Sequence, residues 1–185
     1  YLALLVNRLT SVVGAVTLVS YLFIYTPLKR VTWANTLVGA VPGALPPLMG
    51  WAAARNDFGG GGWALFAILA FWQLPHFFAI AWMYRDEYAK AGYKMLSCED
   101  ADGRRTAEQS ISNTLALLAV SLCPFVFKMA GTVYLVGAIL LGAGFLFCAI
   151  RFSRRLTLPR ARVLFLASIF YLPFLLVLMV WDKMK

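Results

Sequence analysis

The feature that most constrains this chain is a series of six long apolar runs, at residues 9–25, 33–53, 62–83, 111–129, 133–150 and 161–181, within a total of 185 positions. A helix needs about 20 mainly apolar residues to cross the hydrocarbon core of a bilayer, and each run is close to that length. With 62% hydrophobic and only 14% charged residues, and a mean hydropathy of +0.75, the chain has too little polar surface to clothe a water-soluble core. The expectation is an all-α, polytopic transmembrane helix bundle, because in lipid the backbone must satisfy its own hydrogen bonds. Residues 1–6, YLALLV, read as the tail of a further helix. The chain starts inside that helix without Met, signal peptide or transit sequence, so it reads as a single membrane-embedded domain, 1–185, truncated at its N-terminus.

Between the runs the connections are short. Residues 59–62 (GGGG) and 102–106 are expected to be hydrophilic links, too small to be domains. The second run, WANTLVGAVPGALPPLMGW, carries Pro42, Pro46 and Pro47 among several glycines. Proline removes a backbone donor, so a bent or broken helix is expected, its freed carbonyls facing protein or a wet cavity; the other reading is a helix whose glycines simply permit close packing. If the spans alternate, the Lys29/Arg30 turn, the 85–105 connection and the 151–162 connection share one face. The other face keeps only Arg8, Arg55, Lys128, Lys183 and Lys185. By the positive-inside rule the first face is cytoplasmic in a bacterial inner membrane, or on the matrix side of a mitochondrial inner membrane. The net charge of +9 is then largely a topology signal, and with no recognition motif a nucleic-acid partner is not expected.

Cys98, Cys123 and Cys148 have neither metal-ligand spacing nor the pattern of a disulfide framework. There is no G-x-S-x-G elbow and no P-loop, which argues against a serine hydrolase or a nucleotide-driven pump. Chemistry is concentrated instead in residues 84–96, YRDEYAKAGYKML, directly after the apolar run that carries His76, the chain's one histidine. Asp86 and Glu87 offer the hard oxygen ligands that Mg²⁺ accepts, and Arg85, Lys90 and Lys94 suit phosphate oxygens. Diphosphate chemistry at a bilayer surface is one reading; a solvated interfacial loop that marks the end of a span is the other. His76 has Gln73 one turn before it and Pro75 beside it. A histidine at membrane depth is expected to face the bundle interior, as haem ligand, proton relay, substrate hydrogen-bond partner or helix-to-helix bond. At about 1.5 Å per residue, an unbroken helix would put it roughly 15 Å from Asp86, room for one large substrate between the two.

Two blocks, YTPLKRVTWANTLVGAVPGALPPLMGW at 25–51 and FWQLPHFFAIAWMYRDEYAKAGYKML at 71–96, closely resemble the protohaem IX farnesyltransferase (haem O synthase) family, a branch of the UbiA-type intramembrane prenyltransferase superfamily. The resemblance implies nine transmembrane helices around a central cavity, of which this chain would supply about six complete spans and the end of another. It implies a prenyl diphosphate bound through Mg²⁺ held by two acidic motifs. Asp86 and Glu87 match the second, whose YRDEY form here departs from the DxxxD of relatives acting on aromatic acceptors. Lys29 and Arg30 match a basic pair near the diphosphate, and Lys90 a basic residue within the second motif. The first motif, NxxxDxxxD, has no counterpart in these 185 residues, so the principal metal site is expected to be incomplete and the segment alone inert.

What the resemblance implies for function is farnesyl transfer from farnesyl diphosphate to a vinyl group of haem B, with water addition, giving haem O and diphosphate. Asp86, Glu87, Lys29 and Arg30 are then the catalytic residues, Asp86 and Glu87 forming a partial Mg²⁺ site. His76, Gln73, Asn35, Arg85, Lys90, Lys94 and Tyr88 are the substrate contacts. Haem B is a substrate here and not a fixed cofactor; a haem A synthase or terminal-oxidase assembly protein would be a partner for the product. Two other readings stand beside this one: a prenyltransferase for a quinone or other aromatic acceptor, and a non-enzymatic transporter or haem-binding scaffold built on the Pro-rich span.

Overall fold

The computed structural model describes residues 2–184, whose regular elements are helices. After α1 (Leu2–Leu5), α2 (Arg8–Val19) widens into a π-helical stretch at Ser20–Tyr25 and ends as α3 (Thr26–Leu28), one continuous span from Arg8 to Leu28. Then come α4 (Asn35–Arg55), α5 (Gly60–Met83) and two short helices, α6 (Arg85–Lys90) and α7 (Leu96–Glu99). α8 (Arg104–Val120) and α9 (Cys123–Val126) form the next span, followed by α10 (Thr132–Arg154) and α11 (Leu158–Trp181). Six of these segments are long and apolar enough to cross a membrane, one for each expected run. Residues 1–6, expected to be the end of a further helix, hold the four-residue α1; Tyr1 itself lies outside the described residues.

α5 is the hub. It packs on α4, α8 and α11, while α10 closes the far side against α8 and α11, and α2 leans mainly on α4 among the long helices. Only 11% of the apolar stretch of Arg8–Leu28 is buried inside the bundle, against 39% for Gly60–Met83, so the first span is peripheral. The core seam of α10 runs Ala138, Gly142, Phe145, Ala149, Phe152, and that of α11 runs Ala161, Leu164, Ser168, Tyr171, Leu175, Met179. Both run in steps of three and four, the spacing that keeps one stripe against neighbouring helices. Small residues within these stripes allow close approach, the main source of helix association where lipid tails are as apolar as leucine. Two phenols add interhelical bonds: Tyr171 Oη lies 2.8 Å from Ser121 Oγ, and Tyr134 Oη donates to the Ser121 carbonyl at 2.8 Å.

A break in the proline-rich span and hydrophilic links at 59–62 and 102–106 were expected, and the structure differs on each. α4 runs unbroken from Asn35 to Arg55 despite its three prolines, because packing against α2 and α5 holds the backbone helical where donors are missing. The glycines 60–62 are not a hydrophilic link but the first turn of α5. A Cβ on Gly62 would come within 2.8 Å of Trp51 Cγ, so glycine is what lets α5 start against α4. Residues 104–106 likewise belong to α8. Its first turns bury Thr106 and Ser110, and Ser110 and Thr114 return their hydroxyls to carbonyls one turn back at 2.7 Å, which removes the cost of polar groups inside the bundle.

The three basic connections meet at one end. The Lys94 N–H donates to the Lys29 carbonyl at 2.9 Å, joining the second connection to the first. Trp82 Nε1 donates to the Leu156 carbonyl at 3.0 Å, joining the third to the end of α5. At the opposite end Asn7 caps α2, its Oδ1 accepting the Thr10 N–H at 2.8 Å, and donates through Nδ2 to the Ala52 carbonyl at 2.8 Å.

Candidate active site

α5 stops at Met83 because Tyr84 leaves the helical region, at φ −114° and ψ 26°, and the chain restarts as α6 with Asp86 and Glu87 in its first turn. The straight line from His76 to Asp86 is therefore broken: about 10 Å of helix separates His76 from Met83, and the acids lie beyond a turn. Asp86 is held out to solvent with its side chain 84% exposed, and its nearest cation is Arg85, Nε to Oδ1 3.8 Å. That is too long for a hydrogen bond, so the carboxylate is free to take another partner. The Arg85 guanidinium sits 5.1 Å from the Trp82 ring, a stacking position that fixes its direction. Glu87, Lys90, Lys94 and Arg30 are exposed.

Lys29 is the most constrained cation of the group. Pro27 lacks the N–H that would close the preceding turn, and the helix before it takes the wider π form at Ser20–Tyr25. This brings the rings of Tyr21 and Tyr25 together, centres 5.2 Å apart and planes tilted by 54°. The Lys29 ammonium lies 4.5 Å from the Tyr25 ring and 5.9 Å from that of Tyr21. Beside it is a pocket of about 160 Å³ lined by Tyr25, Lys29, Phe77, Tyr88 and Tyr93. Burial raises the Tyr88 phenol above its ordinary pKa of 10.0, with the neighbouring Tyr84, Cys98 and Tyr93 pushing the same way, so it stays a neutral hydrogen-bond donor.

The expected substrate contacts divide into two groups. Asn35, 0% exposed, spends both amide hydrogens on the carbonyls of Thr32 and Lys94, each at 2.7 Å. Gln73 is buried and gives Nε2 to the Ala40 carbonyl at 3.0 Å, pinning α5 to the proline-rich part of α4. Both amides position backbone. Lys29, Arg30, Arg85, Lys90 and Lys94 instead lie on the connections that carry the acids or meet them at the same end of the bundle, and among the described residues the one ion pair they form is the long Arg85–Asp86 contact.

His76 turns to α11, not toward the pocket side of α4 that Gln73 meets. Its ring stacks between Trp72 and Phe165, at 5.1 and 5.0 Å, and Nδ1 lies 2.7 Å from Ser168 Oγ. The Ser168 hydroxyl also reaches the Phe165 carbonyl at 2.5 Å. Nδ1 shares a hydrogen bond with Ser168 whose direction the ring tautomer sets, and Nε2 has no hydrogen-bond partner among the described residues.

Several contributing residues had little or no sequence signal. Tyr21 and Tyr25 with Lys29 form an i, i+4, i+8 stripe that is visible but reads as packing. Ser168 is a single serine in an apolar run, and Asp100 looks like one more loop acid. In the structure Asp100 is buried and accepts from the Thr106 N–H at 2.7 Å, the Thr106 hydroxyl at 2.8 Å and the Arg105 N–H at 3.3 Å, capping α8. Among the described residues no three His, Cys, Asp or Glu side chains gather as a metal cage. Asp86 and Glu87 alone suit a hydrated cation such as Mg²⁺, which binds through one or two carboxylates and completes its shell with water and phosphate.

The profile of the UbiA prenyltransferase family matches residues 1–178. A Solibacter usitatus protein named protoheme IX farnesyltransferase is 51% identical over 178 residues, covering 96% of this chain and 61% of its own length. Proteins of the same name from Koribacter versatilis and Salinibacter ruber are 43% and 49% identical, over 99% and 88% of this chain and 61% and 57% of their own. The chain thus spans about 61% of the length of the first of these relatives. No solved structure matches. An all-helical bundle with six potential spans, matched along nearly its whole length by one family profile, belongs to the UbiA prenyltransferase family.

Proposed function

We propose that this chain carries the leaving-group and acceptor-side residues of a protohaem IX farnesyltransferase, acting within one membrane-embedded domain, 1–185. The observation that carries the reading is the convergence at one bundle end of exposed Asp86 and Glu87 with Lys29, Arg30, Arg85, Lys90 and Lys94, next to an aromatic pocket. The identity to relatives bearing that name supplies the substrate pair. The arrangement also favours placing this end at the cytoplasmic side of a bacterial inner membrane, since the three basic connections meet there.

In this reading the cationic side chains draw the diphosphate of farnesyl diphosphate to the surface and offset negative charge as the allylic C–O bond breaks. Mg²⁺, held by Asp86 and Glu87 through part of its shell, would supply Lewis-acid stabilisation of the leaving diphosphate. Tyr88 donates a hydrogen bond at the pocket mouth, and the faces of Tyr25, Phe77 and Tyr93 shield the allylic carbon from water and favour its positive charge. A vinyl carbon of haem B forms the new C–C bond, water adds to the resulting cation, and a proton is lost, giving haem O and diphosphate. His76, with Nε2 free, faces the haem. Asn35 and Gln73 act by holding the loop and helix that present the cations.

The sequence contains one acidic motif where the two-motif reaction needs two. Haem O formation should therefore be absent for the chain alone. It should appear when the chain is co-expressed with the part of the Solibacter usitatus protein that it does not match. Turnover by the 185 residues alone would refute the two-motif assignment; uptake of haem into vesicles without diphosphate release would favour a transporter.

A further inference from the structure

The end of the bundle away from Asp86 is poor in cations, yet three of them line one cavity. Arg55, Lys128 and Lys183 border a space of about 710 Å³ whose apolar walls include Trp51, Phe127 and Met179. Apart from Arg8, these are the described basic residues of that end. None has an acidic partner among the described residues, where the ion pairs are Arg85–Asp86 and Arg104–Glu108. The nearby acids, Asp57 and Asp182, each accept hydrogen bonds from other groups, and neither forms an ion pair with these cations. Asp57 Oδ1 accepts from Trp51 Nε1 at 2.9 Å and the Gly59 N–H at 2.7 Å, and Asp182 Oδ2 accepts from the Tyr134 N–H at 2.7 Å.

The cations are held in place by backbone. Residues 182–184 pair with 129–131 through an isolated antiparallel bridge, with Gly131 N–H to the Asp182 carbonyl at 2.9 Å and Met184 N–H to the Met129 carbonyl at 3.2 Å. This sets Lys183 opposite Ala130, on the same cavity as Lys128. Lys128 has φ +55°, a left-handed conformation that a glycine would take without strain. Arg55 is oriented over the Trp51 ring, 5.5 Å from its centre. Three unpaired positive groups above an apolar hollow at membrane-surface level are complementary to an amphiphile with an anionic head.

We propose that this cavity is a binding site for an anionic phospholipid, its phosphate met by Arg55, Lys128 and Lys183 and its glycerol and upper acyl chain lying against Trp51, Phe127 and Met179. Each such cation strengthens attraction to anionic lipid by about fivefold. The test is native mass spectrometry of the chain in neutral detergent, titrated with phosphatidylglycerol or phosphatidylcholine. Lys128→Gly removes the charge and relaxes the backbone, so its thermal midpoint should hold or rise while phosphatidylglycerol binding weakens about fivefold. Lys183→Gln should weaken it similarly, and it carries the test by itself if Lys128→Gly does not fold. Arg154→Gln, at the other end, should change nothing. Equal retention of both lipids, undiminished preference in both lysine variants, or an equal loss in Arg154→Gln would overturn the site. Complete displacement by millimolar inorganic phosphate would show a free-anion site, and one-for-one displacement by haem B a haem site; either also overturns it.

Discussion

At the scale of single residues, the charges that matter are those the protein leaves unspent. Asp86 and Glu87 are exposed beside cations, so Asp86→Asn should lower turnover in the reconstituted enzyme by about 100-fold while haem affinity is unchanged, because it removes charge felt mainly in the transition state. Glu87→Gln should act in the same direction and less. Single-turnover kinetics with separate haem titration check this; normal turnover and Mg²⁺ dependence in both variants would support a solvated loop. These acids and the basic residues around them were legible in the sequence because charge stands out at the end of an apolar run. Asn35 and Gln73 stood out equally but could not be interpreted. An amide in an apolar segment has the same appearance whether it meets a substrate or a carbonyl, and only the fold shows that Lys94 and Ala40 claim them. Ser168 gave no signal, since its partner His76 is 92 residues away.

At the scale of elements, the connections are held by buried polar groups that set where the cations point. Asn35→Ala would free the Thr32 and Lys94 carbonyls, costing about 1–3 kcal/mol. It should weaken binding of a farnesyl diphosphate analogue more than binding of haem. Asn35→Asp should not rescue it, because a carboxylate offers no donor to two carbonyls; calorimetric titration of the variants decides. At Asp100, burial alone would raise the carboxyl, but the bonds from Thr106 and the Arg105 N–H outweigh it and hold the pKa below 3.8. The folded state therefore gains stability above pH 3.8 that is lost as pH falls through the lower folded value. Asp100→Asn should show a flatter decline of thermal midpoint on acidification from about pH 5 to about pH 3. The spans themselves were legible to within about a turn, except that α8 starts at Arg104, about two turns before the apolar run at 111; their faces were not. On α11 the exposed Val163, Phe170 and Phe174 are as apolar as the buried Leu164 and Leu175, so the periodicity that marks a soluble helix is absent. The prolines of α4 misled for a related reason: the sequence shows missing donors but not the packing that keeps the helix whole.

At the scale of the whole molecule, the bundle presents two ends with different chemistry. Alternation of spans was enough to place the basic connections together, and hydrogen bonds from Lys94 to Lys29 and from Trp82 to Leu156 show that they meet. The proposed division of labour is that this end takes the diphosphate while His76, one helix segment away and turned toward α11, takes the haem. The most direct measurement is a paired titration of His76→Ala and Lys29→Ala with haem B and with a non-reactive farnesyl diphosphate analogue in Mg²⁺. His76→Ala should weaken haem binding and alter its absorption spectrum while leaving the analogue's affinity nearly unchanged, and Lys29→Ala should show the reverse. Equal loss of both ligands in His76→Ala, or unchanged haem affinity and spectrum in a well-folded variant, would contradict the assignment of the two substrates to two places.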